Sequence, residues 1–197
     1  EMLSFLSKRV ILPYEGAWEG HDLYRQANLL MAAQAMAKAK WSEAYHFLHQ
    51  ARRWPENLGS GRPYQPDERI ELYLEGLIYE KQKRRQQALS CWQKIVAGWQ
   101  DELSQPSLVN LISALSWKKL GYLEKASSLL EQWVNRWPQW EPLRWAEAIF
   151  AEDYDQAQRT VQNWLEKYKK KSLWNLAEAD HYWPLFVEIF KLIKECK

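Results

Sequence analysis

Two stretches of this chain carry the same four positions at the same spacing. They read Gly76, Tyr79, Ala88, Trp92 and then Ala114, Trp117, Ala126, Leu130, with steps of 3, 9 and 4 residues in both. A small residue and an aromatic one turn apart suit the contact face of a helix. An alanine nine residues on, with a bulky residue one turn beyond it, suits the facing side of a second helix after a tight reversal. Such a hairpin cannot bury its apolar face alone, so repetition predicts an all-α superhelix of stacked hairpins, a solenoid. Solenoids serve as binding surfaces more often than as pockets for chemistry.

Composition narrows the partner classes. The 197 residues fit one domain or one repeat array, and 47% hydrophobic residues suffice for a sizeable core. A net charge of +2 argues against nucleic acid, whose binders carry a one-sided basic excess. Cys91 and Cys196 are too few for a disulfide framework, and Cys91 beside Trp92 reads as a small buried hydrophobe. No stretch approaches the ~20 apolar residues of a membrane span. The opening EMLSFLSKRVILP is broken by Lys8 and Arg9, unlike a secretory signal. Beginning at Glu1, the chain reads as a piece of something longer. The 13 tryptophans are expected mostly between helices, because Trp92, Trp117 and Trp133 fall where one helix faces another.

Four helix pairs follow from the spacing along the chain. The first is 22–38 with 42–53: Leu29, Ala32, Ala33 and Met36 keep helical spacing, Ser42 can cap the second helix, and Ala44, Leu48 and Ala51 form its inward stripe. Trp54-Pro55 stops it. The loop PENLGSGRPYQPDE stretches the Ala44–Ala88 step to 44 residues, beyond the ~34 of a regular repeat. Asp67 is placed to cap a helix over 68–82, paired with 86–97 and ended by Gly98. Pro106 opens the third pair, 106–120 and 123–136, with Gly121 between them and Trp137-Pro138 after them. The fourth, 142–150 and 154–169, has Asp153 and Gln156 spaced as a capping box. Ser172 can cap 173–180, and from Pro184 a last helix sets Leu185, Ile189, Leu192 and Ile193 on one face. Segment 173–196 is expected to cover the open end of a single domain whose pairs span 22–53, 68–98, 106–137 and 142–169. Val10-Ile11-Leu12 is too short to found a sheet.

The spacing Gly76–Tyr79–Ala88–Trp92 resembles the tetratricopeptide repeat. The third unit is similar over Ala114, Trp117, Gly121, Ala126, Leu130 and Pro138, and the first and fourth mainly through Ala44 and Ala157. The runs ILPYEGAWEGHDLYRQA and ARRWPENLGSGRPYQPDERIELYLEGLIYEK also resemble the helical part of large bacterial proteins of unknown function. In those proteins such repeats follow a β-sandwich similar to aldose mutarotases. That likeness, over residues 10–95, implies that this chain is the helical portion alone.

Tetratricopeptide arrays commonly bind peptides in a concave groove formed by the first helix of each pair. The resemblance places Leu29, Ala33 and Met36, then Tyr73, Leu77 and Glu80, then Leu111, Leu115 and Lys118 in that groove, with Lys119 beside it. A carboxylate clamp of Lys, Asn and Arg is missing from these positions. Their apolar character implies either a hydrophobic partner segment or the chain's own extra helix lying inside.

Chemistry-bearing patterns are sparse. Glu43-x-x-His46 with His49 is a ligand-like helix face, but it lacks the second copy that carboxylate-bridged metal sites need, and His21 and His181 lie outside any such motif. Gly59-Ser60-Gly61 lacks the strand and the Gly-Lys-Ser/Thr ending of a phosphate loop, though Arg62 and Tyr64 nearby could dock a partner. KQKRR at 81–85 and KYKKK at 167–171 sit at helix C-termini, where cations complement the dipole. Asp153 and Asp155 read as caps rather than a catalytic pair. The expected function is a non-catalytic scaffold for a protein or peptide segment, or for other domains of a parent chain. No cofactor, metal, nucleic acid or membrane is implied. The alternative is the helical accessory region of a carbohydrate-active protein, with aromatics holding glycan.

Overall fold

The computed structural model describes residues 2–13, 18–98 and 105–195; residues 14–17, Trp99 and Cys196 lie outside them. All regular structure among the described residues is helical. A short α1 (Met2–Leu6) precedes four hairpins: α2 (Glu19–Ala37) with α3 (Trp41–Ala51), α4 (Arg69–Lys81) with α5 (Arg85–Gly98), α6 (Val109–Lys119) with α7 (Leu123–Arg136), and α8 (Pro142–Phe150) with α9 (Tyr154–Lys167). A 3-10 turn at Leu173–Glu178 leads into α10 (Trp183–Glu195). Each hairpin packs on itself, and the first helices α2, α4, α6 and α8 lie side by side in chain order. The architecture is the superhelix of α-hairpins that the spacing predicts.

One register runs through all four hairpins. Steps of 3, 9 and 4 connect Ala32, Ala35, Ala44, Leu48 in the first and Trp145, Ala148, Ala157, Val161 in the fourth, as well as the two units visible in sequence. All of these positions are buried except Tyr79 and Trp117, which are half-buried. The first and last positions exchange bulk. Gly76 faces Trp92 so closely that an added Cβ would lie 2.5 Å from the indole Nε1, whereas the fourth hairpin puts Trp145 first and Val161 last. This exchange conceals the repeat from a reading based on residue type.

Each hairpin also turns in the same way. The residue four places after the second register position has positive φ: Ala39 (53°), Lys83 (60°), Gly121 (87°) and Glu152 (61°), with Lys169 (53°) ending α9 likewise. At each, two backbone bonds close the helix, for example Lys83 N to Glu80 O (3.0 Å) and Arg84 N to Tyr79 O (2.8 Å). This is the Schellman closure, which satisfies carbonyls that the helix end would orphan. Glycine fills the left-handed position only at Gly121, although a side chain there costs about 1–2 kcal/mol.

Several helix ends depart from expectation. Ser42 lies inside α3, which starts at Trp41 without a side-chain cap. Asp67 sits one residue before the cap of α4, its carboxylate accepting from Arg69 N at 3.1 Å. Pro106 does not open α6. The helix begins at Val109, and a distant group, Asp180 Oδ2, accepts from Leu108 N (3.1 Å) just ahead of it. Asp153 does cap α9, accepting from Gln156 N at 2.9 Å, and Ser172 with Asn175 forms a full capping box on the 3-10 turn.

The largest departure is the last helix. Expected to cover the open end, α10 instead runs back across the first helices and packs on α2. Its buried face is Trp183, Leu185, Phe186, Ile189 and Phe190, while Leu192 and Ile193 are only half-buried. Phe190 meets Tyr73 of α4 (ring centroids 6.5 Å) and Trp145 of α8 (5.8 Å). Side chains of this size each contribute about 1.5–3 kcal/mol when buried, which makes α10 part of the core.

Two substitutions test the register and the turn. Gly76→Ala drives a Cβ into Trp92 and should lower stability by about 1–3 kcal/mol despite alanine's helical preference. Lys83→Gly relieves the left-handed position and should raise it by about 1 kcal/mol. Urea unfolding reads both.

Candidate functional site

The apolar residues predicted to line an open groove are not open. Leu29, Ala33, Met36, Tyr73, Leu77, Leu111 and Leu115 are all buried. They lie on the first helices, where α10 packs on α2 and reaches Tyr73 of α4 through Phe190. The predicted rim charges tie neighbouring hairpins together at the C-terminal ends of these helices. Lys119 Nζ donates to Glu80 (2.6 Å), and Lys118 Nζ donates to Glu152 (2.7 Å) and to Phe150 O (2.9 Å). Arg62 reaches Glu68 at 3.3 Å, and Tyr64 projects from the loop at 98% exposure.

The opposite edge, at the N-terminal ends of the same helices, holds a polar belt that sequence reading missed. Asp22 and Arg25 continue the stripe of Leu29 and Met36 on α2, so helical geometry aims them inward. Arg25 grips Glu71 of α4 in bidentate fashion, Nε to Oε1 at 2.6 Å and Nη2 to Oε2 at 2.8 Å. It also donates to Asp67 O (2.6 Å) and to Tyr182 Oη (3.0 Å), just before α10. Tyr182 Oη in turn donates to Asp22 Oδ1 (3.1 Å), and His181 Nε2 pairs with Asp22 Oδ2. Gln26 supports Asp22 from one turn away (2.6 Å). Asp67 Oδ2 receives Arg69 Nη2 (2.8 Å), while Arg69 Nη1 reaches Asn110 (3.1 Å) and Ser113 (3.2 Å) of α6. The belt therefore runs α10–α2–α4–α6.

Burial makes this belt stringent. Glu71 is fully buried, and a carboxylate there is tolerable only because the guanidinium covers both oxygens. That carboxylate, together with Tyr182 and Asp67, raises the Arg25 pKa against the opposing effect of its own burial. Burial works to raise the pKa of Asp22, but His181, Gln26 and Tyr182 outweigh it and leave the carboxyl below its ordinary value. The hydrogen bond to Asp22 raises His181, while burial lowers His21, whose ring stacks on Trp54 at 3.3 Å.

A cavity of ≈ 220 Å³ adjoins the belt, lined by Trp18, His21, Asp22, Arg52, Trp54, Glu68 and Tyr182 among others. Its lining has no hydroxyl of Ser or Thr and no thiol. Its carboxylates are each engaged: Glu71 by Arg25, Glu68 by Arg52, Asp67 by Arg69 and Asp22 by His181. Chemically the belt can hold a proton on the Asp22–His181 pair and fix helix positions. Cys91 is not among the cavity's lining residues and is buried, with its thiol pushed up to about 11 by burial. Glu43, His46 and His49 are exposed, and among the described residues no group of three His, Cys, Asp or Glu is placed to hold a metal ion. No described helix is long and apolar enough to cross a membrane.

The chain matches no protein-family model, and comparison with curated proteins and with solved structures gives no match either.

Removing one partner of the buried pair separates the belt from ordinary surface charge. Arg25→Met leaves Glu71 uncompensated and should cost about 3–5 kcal/mol, most of it recovered in Arg25→Met/Glu71→Leu. His181, with its pKa raised, contributes fully below its unfolded 6.5 and loses that contribution as pH rises through the folded value. Asp22, lowered, contributes above its unfolded 3.8. The destabilisation by His181→Gln, read from urea unfolding across pH, should therefore be greatest between these values and fade at alkaline pH.

Proposed function

We infer that this chain is a non-catalytic interaction scaffold that docks a folded protein surface, whether a separate partner or another domain of its parent chain. The concave groove serves the scaffold internally, since the chain's own α10 takes the place of a bound peptide. Docking then falls to the outside of the first hairpin. There residues 2–13 lie against the loop after α3, with Ile11 N donating to Asn57 O (2.8 Å) and Asn57 Nδ2 donating to Leu6 O and Arg9 O. The observation that carries this reading is a concentration of exposed apolar side chains. Met2, Phe5, Val10 and Leu12 lie in the first of these segments and Tyr64 in the second, with Trp18 just before α2, and a surface that gathers large apolar groups marks an interaction site. Arg62 and Tyr64, the loop residues suspected from sequence, extend it.

Tryptophan placement favours packing over glycan capture. Of the described tryptophans only Trp18 and Trp174 are exposed; Trp92, Trp133, Trp145, Trp164 and Trp183 are buried, and the remainder are half-buried. The relation to tetratricopeptide proteins is part of the same proposal, supported by the uniform register and turn.

Leu12→Asp with Tyr64→Asp should weaken association with the parent's other domains, or with a partner identified by cross-linking, by about tenfold or more. Thermal unfolding should stay unchanged because both side chains are exposed. By contrast, Tyr73→Asp or Leu115→Asp places a charge in the core and should unfold the array. Undiminished association of the Leu12/Tyr64 variant in a titration would remove this surface from consideration.

A further inference from the structure

The last helix does not fill the whole concave face. It lies along α2, and towards α8 and α9 it leaves a cleft of ≈ 320 Å³. The walls are Trp145 and Ile149 of α8, Ala157 and Val161 of α9, and Val187 and Phe190 of α10, together with Leu173. Four polar groups stand at the mouth beside these: Gln158 and Gln162 on α9, and Lys191 and Lys194 on α10. Glu188 also lines it. Lys194 Nζ lies over the Tyr154 ring at 4.9 Å, and neither lysine is in an ion pair among the described residues.

We propose that this cleft is a binding site for a small apolar carboxylic acid, a medium-chain acyl carboxylate in chemical class. The volume falls at the low end of small-ligand pockets, and the lining has their character: apolar and aromatic walls with a few polar groups to one side. A cleft of ≈ 320 Å³ suits a single flexible chain better than the long face of a docking helix. The acyl body lies against Ile149, Val161 and Phe190. The carboxylate sits at the mouth, where Lys191 and Lys194 present two ammonium groups that outnumber the single carboxylate of Glu188. The C-terminal end of α10 carries partial negative charge, so the anion depends on those two lysines rather than on the backbone. Tyr154 and the two glutamines supply donors that a carboxylate can accept from. This site is independent of the docking surface on the first hairpin.

Isothermal titration of the whole chain with decanoate, kept below its micelle concentration, tests the proposal. Saturable 1:1 binding is expected, weakened by salt as charges are screened. Lys191→Ala/Lys194→Ala should bind about tenfold more weakly or worse, the loss corresponding to a charge-assisted hydrogen bond, and 1-decanol should bind the parent with a similar deficit. Val161→Phe fills the recess and should abolish binding. Gln162→Trp blocks the mouth from an exposed position, so it gives the same answer without touching the core. Absence of saturable binding overturns the proposal, as do equal affinities for decanoate and 1-decanol, or undiminished binding in the double lysine variant or in Gln162→Trp.

Discussion

A guanidinium largely withdrawn from water where three elements meet has to be satisfied on all of them at once, and Arg25, its side chain 12% exposed, is. It belongs to α2, holds both oxygens of Glu71 on α4, takes the carbonyl of Asp67 ahead of α4, and reaches Tyr182 at the start of α10. None of these partners can shift by much without stranding a charge away from water, where the penalty runs to several kcal/mol. Apolar packing between hairpins tolerates sliding and rotation. The Arg25 contacts do not, and so they set the register in which α2, α4 and α10 come together. Arg69 continues the arrangement to α6 through Asn110 and Ser113. At the other ends of the same helices, Lys118 and Lys119 make looser, more exposed ties, the kind typically contributing about 0–1 kcal/mol each.

The hairpins were legible in sequence because their period is local. Steps of 3, 9 and 4 involve residues within one helix pair, and Gly76 against Trp92 is the kind of small-to-large match that residue type reveals. In the fourth hairpin the large residue, Trp145, comes first and the smaller Val161 last, so the same geometry escaped notice. The turns were harder still. Ala39, Lys83 and Glu152 adopt a left-handed conformation that their side chains disfavour, so no glycine marked the position, and only the structure shows that all the hairpins reverse alike.

The polar belt was illegible for a different reason. Its members are far apart in the chain: Asp22 and His181 are 159 residues distant, and Asp180 accepts from Leu108 N, just ahead of α6, from 72 residues away. The available signal was the continuation of an apolar stripe by charged residues, since Asp22 and Arg25 stand at helical spacing before Leu29 and Met36. A charge on a core-facing position requires a partner, but a single sequence does not say which. The path of α10 was open for the same reason. Its amphipathic face fits an end cover and a groove filler equally well, and Phe186 and Phe190 became decisive only once Tyr73 and Trp145 were seen opposite them.

Return of the last helix to the first hairpin changes the mechanical character of the array. An open solenoid behaves as a spring: it can flex, lengthen by added units, and nucleate folding anywhere along its length. Here α10 joins the first hairpin, so the coil is clasped. Contacts of very long sequence separation must form before α2 and α4 have their full set of neighbours, which slows folding and leaves apolar surface uncovered until α10 docks. The same clasp gives cooperativity, because loosening α10 weakens the first hairpin and the reverse.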